Sequence, residues 1–202
     1  NDAALIPHLT SVNIACGYHA ADPAIMRATV RLARDHGTAI GAHVSYPDFG
    51  GFGRRRMELS EDEVRDAVVH QIGALLGFCR AEGVEMQHVK PHGMLYLTAE
   101  IDRPTARGIA EAVKSVDPDL ILMLAGDIVA EECAHIGLTM AHEGYIDLDY
   151  APDGTLQMPN PRPPRDPVQM IDRARILVRE QRACTTDGTW RDVPTQSICF
   201  HG

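Results

Sequence analysis

Hydrophobic and polar positions along this chain follow two rhythms in turn, one of short apolar runs and one of helical spacing. Six short runs predict strands: residues 11–15 (SVNIA), 38–43 (TAIGAH), 86–90 (MQHVK), 120–124 (LILML), 138–142 (LTMAH) and 197–200 (SICF). Between them lie stretches with helix ends written into them. Asp22-Pro23 supplies an N-cap and a first-turn proline for a helix that Gly37 closes, with Ile25, Ala28, Leu32 and Ala33 as its expected buried stripe. Ser60 and Glu63 form a capping box for the longest helix, which ends at Gly83. Its core face is Val64, Val68, Ile72, Leu75, Leu76 and Cys79. Shorter helices are predicted over 94–99, 104–116 and 127–136, and another starts at Asp166-Pro167. Residues 143–165 form a long proline-rich loop with an Asp153-Gly154 turn, a length that marks a functional or disordered segment.

Strand alternates with helix throughout, so the fold class is α/β with a parallel sheet and right-handed crossovers. An open doubly wound sheet and a closed βα barrel both fit this pattern. A chain of 202 residues that is 45% hydrophobic can bury one sizeable core, and no linker or repeat divides it, so residues 1–202 are expected to form a single domain. The formal net charge of -9 argues against nucleic acid or an anionic membrane as partner. No apolar run approaches the roughly 20 residues that span a bilayer, and no signal peptide is visible. The five cysteines are scattered and form no CxxC pair, which reads as buried thiols in a reducing cytoplasm. Asn1 in place of an initiator methionine, and an end just after a strand, are expected of a chain cut or only partly covered at both ends.

Chemistry concentrates in QHVKPHGMLY, residues 87–96. His88 and Lys90 share one strand face, Pro91 stops the strand, and Gly93 lets the chain turn close to a bound group. His92 then lies just past the strand's carboxyl end. Of ten histidines, His19, His43, His92, His142 and His201 each fall at or just after such an end. That rim is where ligands bind in parallel α/β folds. His8, His36, His70 and His135 fall elsewhere and read as solvated or structural. Carboxylates accompany the rim histidines: Asp22, Asp48, Glu143 and Asp147. Imidazole with carboxylate is a ligand set for a divalent metal, and equally a general acid/base pair. Asp22 is also explained as an N-cap alone.

The loop FGGFGRRR, residues 49–56, has freed backbone N–H groups beside Arg54 and Arg55, the ingredients of an anion grip or of a basic surface turn. Neither phosphate-binding fingerprint (GxxxxGK[ST] or GxGxxG after a strand) occurs, nor does a GxSxG elbow. Cys16 follows a strand but reads as a small buried thiol before it reads as a nucleophile.

Five blocks in order, NIACGYHAADP, AIGAHVSYPDFGGFGRR, QHVKPHGMLY, MAHEGYIDLDYAPDGTL and ICFHG, closely resemble the lactam-utilisation (LamB/YcsF) family across nearly the whole chain. The resemblance implies an irregular parallel βα barrel, similar to that of polysaccharide deacetylases, whose first strand and last helix are missing or not covered here. It implies hydrolytic opening of the 5-oxoproline lactam to L-glutamate with 5-oxoprolinase subunits B and C. With no ATP fingerprint in this chain, ATP is expected to be bound by those partners. The catalytic residues would be His43, Asp48, Lys90, His92 and Glu143. His92 or His43 would serve as base, Asp48 or Glu143 as orienter, and Lys90 with Arg54 as anion stabilisers. Arg54, Arg55, Asp147 and Tyr96 would bind substrate, and His19, Asp22 and His201 would hold a divalent metal if one is bound. Relatives usually carry glycine where Ala21 stands and arginine where Leu148 stands, and residues 158–164 are unusually proline-rich here. Two other readings fit the residues: a stand-alone metal-dependent amidohydrolase or deacetylase, and a non-catalytic binding subunit.

Overall fold

The computed structural model describes residues 2–158 and 164–201, and its contacts divide into two compact units, 1–140 and 141–202. The proline-rich stretch at 158–164 lies mostly outside the described residues.

In the first unit a short helix, α1 (Asp2–Leu5), and a 3₁₀ turn lead into β1 (Ser11–Ala15). Then follow α2 (Pro23–His36), β2 (Ala39–Val44), α3 (Glu61–Ala81), β3 (Met86–Pro91), α4 (Gly93–Ile101), α5 (Arg103–Val116), β4 (Ile121–Leu124) and α6 (Asp127–Ile136). The four strands pair in sequence order and all in parallel, the α/β arrangement expected from the alternation. Helix ends follow the predicted chemistry. Asp22 accepts a hydrogen bond from Ile25 N at 2.8 Å, Gly37 closes α2 in the left-handed region, and Ser60 and Glu63 form the full capping box.

The core of this unit is aliphatic: Val30, Ile40, Ala42, Val44, Val68, Ile72, Leu75, Val89, Ile109, Val113, Leu122 and Leu124 are essentially inaccessible. The stripe on α3 is the expected one, except that Gln71 is buried and Leu76 only half-buried. On α2 the stripe differs. Met26, Val30 and Ala33 face the core, while Ile25 is 52% exposed. Both sets share helical spacing, so periodicity alone does not choose between them.

In the second unit β5 (Met140–Tyr145) and β10 (Ser197–Cys199) pair in parallel, with Glu143 opposite Ser197 and Tyr145 opposite Cys199. The strand starts two residues later than expected and runs three further, so His142 lies within it and not at its end. Part of the predicted long loop is the hairpin of β6 (Asp149–Tyr150) and β7 (Leu156–Gln157), turning at Asp153-Gly154. Helix α7 (Pro167–Glu180) follows, then a second hairpin, β8 (Arg182–Cys184) with β9 (Trp190–Asp192). The sequence pattern predicts neither hairpin, because strands of two or three residues carry no alternation to read. All five cysteines are free; four are buried, but Cys184 is exposed, against the expectation of five buried thiols. No described helix is long and apolar enough to cross a membrane.

Candidate functional site

Register across the first sheet decides which side chains meet. Asn13, Gly41 and His88 are partners in one row, and Ala15, His43 and Lys90 in the row two residues nearer the strands' carboxyl ends. The same face of the sheet therefore carries His88 and then, one step on, His43 and Lys90. Lys90 is only 3% exposed. Beyond that row the chain leaves β3 at Pro91 and places His92, and the turn after β1 brings in His19.

The three imidazoles form one cluster, with a ligand-capable atom of each within 4.8 Å of the others. His19 and His92 stack nearly parallel, ring centroids 4.0 Å apart, and His43 stands edge-on to both. His43 Nε2 lies 3.1 Å from His92 Nδ1. The outer nitrogen of each of these two rings meets a backbone carbonyl: His43 Nδ1 the oxygen of Lys90 at 2.9 Å, His92 Nε2 that of Phe52 at 2.8 Å. Burial pushes His19 down to about 3, with the charge of His92 adding to the effect. Burial likewise holds His43 well below the usual imidazole range, helped by His92, Lys90 and His19. At neutral pH these two rings are uncharged bases.

A loop braces His92. Asp48, the cap of the short 3₁₀ turn Phe49–Gly51, accepts from Gly51 N at 2.9 Å and from Arg55 N at 3.2 Å. Its carboxylate also takes the Arg55 guanidinium, Nε at 2.8 Å and Nη2 closer still. The Arg55 hydrogen bond holds the Asp48 carboxyl below its ordinary range. Gly53 O then accepts from Met94 N at 2.9 Å, and His92 N donates to Val44 O at 2.7 Å. The fit leaves no room for side chains. A Cβ on Gly53, whose φ is +66°, would stand 2.2 Å from Ser45 Oγ and 2.8 Å from the His92 ring, and one on Gly93 2.5 Å from Gly53 O. Asp48 thus acts on His92 through a loop and not by touching an imidazole.

The other expected site residues distribute as follows. Arg54 lies over the Phe52 ring at 5.2 Å, while Arg55 is committed to Asp48. Tyr96 is buried on α4, 1% exposed. Asp22 caps α2. In the second unit Glu143 is buried and accepts from Tyr145 OH at 3.2 Å. His201 and Asp147 form a pair at 2.8 Å, and His201 N also donates to the same carboxylate at 3.0 Å. Burial raises the Asp147 carboxyl, but the His201 hydrogen bond and charge outweigh it and leave it lowered. Of the three residues expected to hold a metal, His19 is in the imidazole cluster and Asp22 is an N-cap; His201 pairs with Asp147. Cys16 is a buried thiol pushed up to about 12 by burial, its Sγ donating to Ile14 O at 3.2 Å.

Two supporting residues carry weaker signals. Gln71, buried on α3, grips the backbone of Ser45 from both sides, Oε1 accepting from Ser45 N and Nε2 donating to Ser45 O, each at 2.9 Å. Nothing in the sequence marks it. Gly41 inside a strand does mark close approach, and the ring it makes room for is that of His88.

Fold and site together define a parallel α/β protein with a cluster of three imidazoles, beside a buried lysine, where β1, β2 and β3 end. The LamB/YcsF family model matches residues 1–202, and the chain belongs to that family. It is 42% identical over 205 residues to the A component of 5-oxoprolinase from Pyrococcus horikoshii, covering 100% of this chain and 80% of the relative. Against the protein of that name from Methylococcus capsulatus the identity is 46% over 205 residues, with 100% and 78% covered. A solved lactam utilization protein from Thermus thermophilus superposes with a TM-score of 0.93 at 41% identity, covering 100% of this chain and 83% of that one. The fold is therefore the LamB/YcsF fold, as the resemblance implied.

Proposed function

We propose that this chain is the lactam-opening component of an ATP-dependent 5-oxoprolinase, hydrolysing the ring amide of 5-oxoproline to give L-glutamate. The names of its relatives support the reaction, and the cluster of His19, His43 and His92 is the single observation that supports placing the chemistry here.

Ring opening adds water across the C–N bond. The water oxygen bonds to the carbonyl carbon, the water proton passes to a base, and the carbonyl oxygen gains charge. The C–N bond then breaks and the nitrogen takes a proton. His43 and His92 suit the base as a pair, because a carbonyl fixes the outer nitrogen of each ring and the two inner nitrogens share one hydrogen bond, in which one donates and the other accepts. Low proton affinity keeps His43 ready at neutral pH. The Lys90 ammonium, with Arg54, suits the developing oxyanion or the substrate carboxylate. An unactivated amide reacts slowly with a base this weak, so ATP-dependent activation of the carbonyl is assigned to partner subunits B and C. Asp48 enters as a positioning residue through the loop that holds His92. Arg55, bound to Asp48, shares that positioning role.

Reconstitution tests this. The chain alone should release little glutamate from 5-oxoproline, and adding subunits B and C with ATP should release it steadily, in amounts lost in His92→Ala. Full activity of B and C without this chain would refute the assignment. The imidazole cluster also favours a second reading, a stand-alone metal-dependent amidohydrolase. Hydrolysis indifferent to ATP and abolished by a chelator would select that one. Complex activity that survived both His43→Ala and His92→Ala would instead make the chain a binding subunit.

A further inference from the structure

We infer that His19, His43 and His92 form a three-nitrogen seat for one late first-row divalent cation, of the zinc, cobalt or nickel kind, with a fourth position left for water or a substrate oxygen. The inference stands on the geometry of the cluster and not on the lactam reading.

Three observations converge on it. First, both outer nitrogens are occupied by carbonyl acceptors. The carbonyls fix the ring orientations and turn His43 Nε2 and His92 Nδ1 toward each other, 3.1 Å apart and hydrogen-bonded through one shared proton. A divalent cation can take the place of that proton, since both inner nitrogens already point at one spot. Second, the spacing suits a metal: nitrogens bound at about 2.0–2.1 Å to one tetrahedral ion stand roughly 3.3 Å apart. Backbone carbonyls that fix ligand tautomers are the usual outer support of such sites. Third, His19, 3% exposed, completes the trio, and its Nδ1 is buried with no hydrogen-bond partner among the described residues. An all-imidazole set selects borderline nitrogen-loving ions over magnesium or calcium, which take oxygen.

Two features set the terms of binding. The His19 ring lies flat against His92, so it must rotate about its own Cβ–Cγ bond to aim a nitrogen at the ion. Lys90 stands beside His43 in the register, and its charge opposes a dication. An anionic fourth ligand, hydroxide or carboxylate, would offset that repulsion.

Metal content of the purified chain, dialysed against zinc or cobalt and then against metal-free buffer, is the test. About one ion per chain is expected, with the visible absorption of four-coordinate cobalt. His36→Ala, on the exposed end of α2, should retain both signals. His43→Ala and His92→Ala should each fall to background while keeping the far-ultraviolet circular dichroism of the parent chain. Should either variant unfold, His43→Gln and His92→Gln serve in its place. Lys90→Met should bind the ion more tightly. Failure of the chain to hold metal, or retention of metal in the folded double variant His43→Gln/His92→Gln, overturns the seat. Because metal content is read without substrate, the 5-oxoprolinase reading is judged by reconstitution alone, although an ion in the seat would occupy the inner nitrogens of His43 and His92 and so remove them as the base.

Discussion

His88 on β3 reaches across the strand beside it to Asn13 on β1, its Nε2 2.8 Å from Asn13 Oδ1. The strand it crosses can be crossed because its residue in that row is Gly41. A Cβ there would stand 2.0 Å from His88 Nε2, well inside any allowed contact. Gly41→Ala should therefore displace a fully buried ring and loosen the sheet just beneath His43. Overpacking of this kind costs about 1–3 kcal/mol, occasionally more. Urea unfolding measures it. The double variant Gly41→Ala/His88→Ala should regain part of the loss, since the ring that clashes is gone. Equal stability of Gly41→Ala and the parent chain would show that the row is not packed as described.

The path from Asp48 to His92 yields a second expectation. Asp48 touches Arg55 and Gly51, Phe52 lies in the same loop, and Phe52 O receives the His92 Nε2 proton. Asp48→Asn weakens the Arg55 grip while keeping the side chain's shape. In the reconstituted complex we expect kcat to fall about 10–100-fold, the range seen when an outer support of an active group is removed. KM should change little, and Asp48→Glu should recover part of the rate. An effect on KM alone would mean that Asp48 binds substrate and does not position the base.

Much of this is legible in the chain. Caps at Asp22 and Ser60, stops at Gly37 and Gly83, and strand-end placement of His19, His43 and His92 all depend on local chemistry, which a sequence displays directly. What it does not display is partner choice. Asp48 and Arg55 are close in sequence, but their pairing is set by how the glycines fold the loop back. The buried side of α2 turns on a rotation of the helix that periodicity leaves free. The imidazole trio joins residues from three strand ends, and only parallel register brings them together. Ala21 shows the converse. The family resemblance leads one to expect glycine there, and the φ of 67° fits that expectation, since an alanine in the left-handed region is strained.

Burial of neutral histidines couples stability to pH. His19 falls to about 3 and His88 to about 4, both mainly through burial, and His43 is lowered in the same way. Below the unfolded value near 6.5, the unfolded chain takes up protons that these rings refuse in the native state. Stability is thus fully present above about pH 6.5 and is lost as pH falls toward the native values, by up to about 1.4 kcal/mol per pH unit for each ring. Urea midpoints at pH 7.5 and pH 5 should differ in that direction, and His19→Asn should narrow the gap. A midpoint that rose on acidification would contradict the neutral, buried state of His19, His43 and His88.

Glu100 pulls the other way, and its position explains why. It sits on α4 beside Gly126 at the head of α6, and burial alone raises its carboxyl from 4.5 to about 7. Between those two values the native chain holds a proton that the unfolded chain has lost, so this group's contribution declines as pH rises and then levels off. At pH 8 the native carboxylate is charged in a site that resists charge, a penalty of about 3 kcal/mol for a shift of this size. Glu100→Gln removes the charge and keeps the shape, so it should stabilise the chain at pH 8 and lose that advantage by pH 4.5. The comparison needs only denaturation curves of the two proteins at both pH values. An advantage of equal size at both would assign the effect to packing, and a destabilised variant at pH 8 would mean that the carboxylate is held by a favourable partner.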